Sequence, residues 1–201
     1  MRTRRTLAAL TAALTLATGG LLASGAAATQ SGTGPDQVVW AQTTGVNATD
    51  LLSGVQVGSY RGDNLQSTNV ARADSTDCTD CRTVAVAVQA VLLKGSPQTA
   101  EPKNVAIAIN ERCLRCTTYA FAYQYVVTTA NRAVLTRRAR RRVAGIRDQI
   151  ATVSHSDLSP DDLNARLREL AADFRAVIDA DLARQDEDVE DREVERDTDL
   201  D

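Results

Sequence analysis

The chain has 201 residues, 23 basic and 26 acidic side chains, a net charge of −3 and one histidine. That single histidine leaves no His-Glu-x-x-His zinc-protease motif and no serine or cysteine triad, and no glycine-rich phosphate loop is present. The acidic balance argues against a nucleic-acid-binding protein.

In chain order, Met1 to Ala28 opens with Arg2, Arg4 and Arg5, runs apolar from Leu7 to Leu22 and ends in Ala26-Ala27-Ala28. This pattern predicts a signal peptide over residues 1–28, cleaved before Thr29. Gly19-Gly20 interrupts the apolar run, which is short for a membrane span. No cysteine follows it for a lipid anchor, and Arg4-Arg5 does not decide between Sec and twin-arginine export. Loss of three arginines takes the mature chain to a net charge of about −6. Its length of about 173 residues suits one domain burying roughly 70% of its unfolded surface. The expected location is secreted, extracellular or cell wall.

Residues 29–36, with Gly32, Gly34 and Pro35, read as a flexible lead-in. Gln37 to Thr44 and Leu51 to Tyr60 read as two strands around the turn-prone Gly45 to Asp50. Arg61-Gly62-Asp63 spells an adhesion tripeptide but reads as a glycine turn between charges. Asn47-Ala48-Thr49 is a glycosylation sequon that matters only in a eukaryotic host.

The centre of the chain is written twice. Residues 69–91 align with 104–126 at a shift of 35, with 11 identities in 23 positions, and Cys78 and Cys81 fall on Cys113 and Cys116. Thr83 to Leu93, Asn104 to Asn110 and Thr118 to Thr128 alternate with period two. One face is bulky (Val84, Val86, Val88, Val105, Ile107, Ile109, Tyr119, Phe121, Tyr123, Tyr125). The other is small and flat (Ala85, Ala87, Gln89, Ala106, Ala108, Ala120, Ala122, Gln124). The bulky face is expected to take the core; the small one would admit a second sheet or face water. The expectation is an α+β fold with an antiparallel β-meander of about six strands over residues 37–130, its two Cys-x-x-Cys motifs at hairpin tips.

After Asn131 the period becomes 3.6. Ala139, Val143, Ile146, Ile150 and Val153 form one seam, and Leu163, Leu167, Leu170, Phe174 and Val177 a second. Ser159 reads as the N-cap of the second helix, with Pro160 at its first position. An antiparallel helical hairpin over residues 132–185, packed on the sheet, is expected. Residues 186–201 read as an acidic, disordered tail, with ten carboxylates between Gln185 and Asp201.

Two clusters can carry chemistry. Alternate turns of a meander lie two strand spacings apart, about 9–10 Å. Disulfides within each motif, Cys78 with Cys81 and Cys113 with Cys116, are therefore favoured over bonds between tips. The alternative is one structural zinc held by Cys78, Cys81, Cys113 and Cys116; export favours disulfides and no cofactor. Redox activity is disfavoured because each motif feeds a strand, with no helix N-terminus to lower a thiol pKa. The second cluster is Arg132, Arg137, Arg138, Arg140, Arg141, Arg142 and Arg147, a run of the kind that grips anionic polymers. Against the net charge it reads as a solvated helix face neutralised by the acidic tail. His155 reads as a solvated residue between the helices.

Asn104-Val105-Ala106-Ile107-Ala108-Ile109-Asn110, then Cys113-x-x-Cys116, then Thr118-x-Ala120-x-Ala122-x-Gln124 and an arginine-rich helical segment resemble a group of uncharacterised secreted modules of actinobacteria. The likeness covers roughly Gln37 to Leu182. Some members of the group are labelled putative peptide zinc metalloproteases. This chain lacks the protease histidines, so the resemblance implies an exported bacterial module rather than an activity. The leading functional expectation is a non-enzymatic interaction module with an unidentified protein or cell-envelope partner. The alternatives are an accessory module of a membrane peptide-processing or zinc metalloprotease system, and a self-assembling surface protein.

Overall fold

The computed structural model describes residues 34–129 and 134–198, with side chains as far as residue 186. The expected signal peptide, its cleavage site and Arg132 lie outside the described residues. Among those described, no helix is long and apolar enough to cross a membrane.

Six strands precede two helices: β1 (Gln37–Val46), β2 (Thr49–Tyr60), β3 (Asn64–Thr79), β4 (Arg82–Lys94), β5 (Thr99–Glu111), β6 (Thr117–Thr129), α1 (Arg137–Ser154) and α2 (Pro160–Thr198). They do not form the expected antiparallel meander. Two three-stranded sheets run β1-β3-β5 and β2-β4-β6, and every pairing is parallel. Consecutive strands lie in opposite sheets. Each odd–even pair is one rung of a stack, and the strand across the stack serves as the crossover that parallel neighbours need.

The turn residues explain why the meander fails. A tight hairpin wants two consecutive positive-φ residues, typically Asn-Gly or Asp-Gly. At the β3–β4 turn the left-handed residues are Asp77 (φ 50°) and Asp80 (φ 56°), and at β5–β6 they are Arg112 (φ 50°) and Arg115 (φ 55°). These separated bends rotate the chain so that successive strands face each other through side chains, leaving their backbone edges for the next rung.

The repeat then fixes the register. β3 pairs with β5 and β4 with β6 at the repeat shift of 35, so Ala71 meets Ala106, Ala73 meets Ala108, Ala85 meets Ala120 and Gln89 meets Gln124. A third copy, β1–β2, escapes the sequence comparison. It pairs with the second rung at a shift of 33 in β2, and a register break between Thr43 and Gly45 interrupts β1. Gly45 sits on Cys78 in this copy, which has no cysteine.

The flat face lies between the sheets. Ala41, Ala71, Ala73, Ala85 and Ala87 are completely buried there; side chains this small let two sheets approach closely. Amide columns run along the stack. Asn69 Nδ2 donates to Asn104 Oδ1 (2.8 Å), Gln124 Nε2 to Gln89 Oε1 (2.7 Å), and Gln89 Nε2 to Gln56 Oε1 (2.8 Å) and to the Pro35 carbonyl (3.0 Å). Thr43, Ser75, Thr83 and Thr118 form a hydroxyl cluster nearer the turns.

The bulky outer face of the second sheet takes the main apolar core. Val84, Val86, Val88, Ala90 and Leu92 meet Ala139, Ile146 and Ile150 of α1 and Leu163, Leu167, Leu170 and Phe174 of α2. Both expected helical seams lie in this layer. The Ser159 hydroxyl accepts from Asp162 N (3.2 Å) at the start of α2. Thr136 caps α1 and donates through N and Oγ1 to the buried Asp181 carboxylate (2.9 and 2.6 Å), which ties the start of α1 to the distal part of α2. α2 continues to Thr198, through the segment expected to be a disordered tail.

Between the sheets there is no room for a larger side chain. Ala87→Leu is expected to cost about 1–3 kcal/mol through overpacking. The same change at exposed Ala172 should be nearly neutral in thermal unfolding followed by circular dichroism.

Candidate functional site

The cysteine motifs occupy stacked turns, and this corrects the expected separation of the tips. The two turns are direct neighbours, about one strand spacing of 4.8 Å apart. Leu114 N donates to Cys78 O (2.9 Å), Asp80 N to Leu114 O (2.9 Å) and Thr117 N to Cys81 O (2.8 Å). Ion pairs clamp the same contact. Arg112 Nε and Nη2 reach the two carboxylate oxygens of Asp77 (2.5 and 2.8 Å), and Arg115 does likewise with Asp80 (2.6 Å each). These guanidiniums hold the Asp77 and Asp80 carboxyls below the ordinary carboxylate range. Their contribution is therefore complete above the ordinary carboxyl pKa of about 4 and fades as pH falls through the lowered folded-state values. Both pairs were legible as Asp-over-Arg at the repeat shift, yet periodicity alone does not single them out.

Cys78 and Cys81 are buried and joined by a disulfide, with Cα atoms 6.0 Å apart. Cys113 and Cys116 are half-buried free thiols. The Cys113 thiol donates to the Ser75 carbonyl (3.2 Å), and burial, then the neighbouring Cys116, pushes its pKa up. A thiol held protonated in this way is a poor nucleophile. The sulfurs of Cys78, Cys113 and Cys116 lie within 4.8 Å of one another. Tetrahedral zinc, with bonds of about 2.3 Å, needs sulfurs about 3.8 Å apart. Cys78 would first have to be released from its disulfide with Cys81. Cys78, Cys113 and Cys116 can face one metal ion together only once that disulfide is open; Cys81 is not part of this cluster.

The arginine cluster falls on α1. Arg137, Arg138, Arg140, Arg141, Arg142 and Arg147 are exposed, and Arg147 pairs with Asp148 (3.2 Å). His155 is the C-cap of α1, exposed, with Nδ1 2.7 Å from the Ala151 carbonyl.

A surface that sequence reasoning did not single out is the outer face of the β1-β3-β5 sheet. Helices cover the opposite sheet, and none packs on this one among the described residues. Val38 (55% exposed), Trp40 (53%), Val105 (39%) and Ile109 (37%) stand on it. Trp40 is held upright: its Nε1 donates to Asp74 Oδ2 (2.9 Å), Arg72 Nε donates to the same oxygen (2.7 Å), and the Arg72 guanidinium lies 5.2 Å from the Trp40 ring centre. The bulky residues of β5 were assigned to the core because each strand's bulky face was expected to be buried. In a two-sheet stack there are two outer faces, and one helical hairpin covers one of them.

No family model, curated protein or solved structure matches this chain.

Because Cys113 and Cys116 occupy the same turn one rung along from the bonded pair, mild oxidation is expected to join them to each other. Peptide mapping should find Cys113–Cys116 beside Cys78–Cys81; a Cys78–Cys113 link would contradict this. Each bond closes a short loop, so full reduction should cost less than the ~3 kcal/mol of a 15-residue loop and leave the protein folded.

Proposed function

We propose that the protein is an exported, cell-envelope or extracellular interaction module with no catalytic activity of its own. The observation that carries this reading is the uncovered outer face of the β1-β3-β5 sheet. Large apolar side chains exposed together on one rigid face are a usual mark of a binding surface. Trp40 suits a recognition anchor, since a tryptophan fixed by a carboxylate and a guanidinium gives up little freedom when it is covered. The export pattern and the buried Cys78–Cys81 disulfide support an oxidising compartment. The stacked cysteine turns serve as a structural clamp at one end of the sheets in this reading. Zinc bound at the reduced turns is the alternative for that clamp. The alternative of self-assembly draws support from the unpaired strand edges of the stack.

Site-specific photo-crosslinking in the producing cells tests the reading. A benzophenone side chain at Trp40 should give one or a few discrete adducts, while the same group at Arg138 on α1 should give few or none. Equal labelling from both positions, or hydrolysis of peptide substrates by the purified protein, would contradict it.

A further inference from the structure

The two ends of the stack are built differently. At the β1–β2 end the inward side chains Gln37, Val39, Ala41 and Thr43 are buried although they belong to a terminal rung. Glycines make this possible. A Cβ on Gly54 would sit 2.6 Å from Gln37 Nε2 and 2.9 Å from Val39 Cγ2, and one on Gly58 would sit 2.5 Å from Pro35. The chain's own side chains thus fill the space between the sheets at that end, although β1 and β2 are, like β5 and β6, paired on one side only among the described residues. At the β5–β6 end the corresponding inward residues Asn104, Ala106, Ala108 and Asn110 are exposed. Each sheet ends there in a strand paired on one side only among the described residues. Stacked-rung proteins need their terminal rungs covered to stay soluble, and a long, apolar free edge recruits another strand.

The sequence of that edge is self-complementary. From Lys103 to Glu111 it reads Lys-Asn-Val-Ala-Ile-Ala-Ile-Asn-Glu. Antiparallel pairing with an identical strand, centred on Ile107, sets Lys103 opposite Glu111, Asn104 opposite Asn110, Val105 opposite Ile109 and Ala106 opposite Ala108. Apolar meets apolar on the outer face, small and polar meet on the inner face, and opposite charges meet at both ends. The segment is also bounded. Pro102, which has no N–H to donate, precedes it, and the left-handed Arg112 (φ 50°) follows it. β6 carries the same symmetry about Phe121: Tyr119 mirrors Tyr123, Ala120 mirrors Ala122 and Thr118 mirrors Gln124. Ile107 and Phe121 are equally far along the chain from Leu114 at the turn. Positions so related face each other, as the hydrogen bond from Thr118 Oγ1 to Asn110 Oδ1 (2.6 Å) shows. One twofold axis perpendicular to the sheets therefore serves both edges.

We infer that the open end is an interface between two copies of this chain, related by a twofold axis through Ile107 and Phe121, with β5 and β6 each pairing antiparallel to their partner counterparts. The dimer joins two three-stranded sheets into a six-stranded one on each side. It also merges the exposed Val105 and Ile109 and the half-buried Ile107 of both copies into one apolar face. Such an interface is isologous and closes after two subunits. Head-to-tail growth into filaments would instead need the β1–β2 end, whose inward side chains are already buried. The inference does not rest on the partner reading above, because it concerns the edge of the stack and not its outer face.

Sedimentation of the purified full chain from micromolar to submillimolar concentration tests this. The expected result is a reversible dimer. Ile107→Lys places two like charges at the axis and should give a folded monomer, its circular dichroism spectrum matching the wild type, since the half-buried side chain lies on the outer face. Lys103→Glu should weaken dimerisation about tenfold through two symmetric repulsive pairs. Combining it with Glu111→Lys should restore the wild-type affinity. Lys103 and Glu111 of one chain stand about 26 Å apart along β5, so only pairing between copies can produce that rescue. A wild-type monomer, filament formation, a dimer that survives Ile107→Lys, or a double variant no tighter than Lys103→Glu would each overturn the inference.

Discussion

Everything in this structure depends on like residues stacking on like residues one rung along. A parallel ladder at the repeat shift puts Ala on Ala, Gln on Gln and Asn on Asn. Within each amide column one side chain's N–H donates to the oxygen of the next, leaving Asn69 Oδ1 as the buried oxygen without a partner among the described residues. Buried amides are costly when unpaired and strongly ordering when paired. A one-residue slip would turn the alanines outward, drive the valines and tyrosines between the sheets and leave the glutamines without partners. The register is therefore held by two independent penalties, one steric and one polar.

That same stacking explains how the turns work. Left-handed φ values at aspartate and arginine cost backbone energy, and they recur in adjacent rungs at Asp77 over Arg112 and Asp80 over Arg115. The backbone bonds between turns and the bidentate ion pairs offset that cost where it arises. The disulfide across the second rung's turn stiffens the rung sandwiched between the other two. The turn end of the stack is accordingly its most cross-linked region, while the β5 edge carries no covalent or ionic cover of its own beyond Arg112.

Much of this was legible in the residues. The shift of 35 gives the β3–β5 and β4–β6 register outright, the period-two runs locate the strands, and the change to period 3.6 locates both helices and their buried seams. What the residues did not show is direction. Alternation describes which side chains share a face, and it is identical for a strand paired to its sequence neighbour and for one paired to its repeat equivalent. The spacing of positive-φ positions in the turns decides between them, and Asp and Arg, unlike Gly or Asn-Gly, do not advertise such positions in sequence. The first rung was hidden for a related reason: its column identities are few (Gln56 with Gln89 and Gln124, Ala41 with Ala73 and Ala108), and the break near Gly45 shifts them out of step. The cysteine site followed from the fold, so an error in strand direction became an error in the distance between its turns.

The central claim is that sequence repeats pair with each other, in parallel, and that consecutive strands do not. Backbone nuclear Overhauser contacts in isotopically labelled protein test it most directly. Amide-to-Hα contacts linking Ala71 with Ala106 and Ala85 with Ala120, continuing at the same shift along both ladders, are expected. Close Hα-to-Hα contacts between β3 and β4, the signature of an antiparallel hairpin, would contradict it.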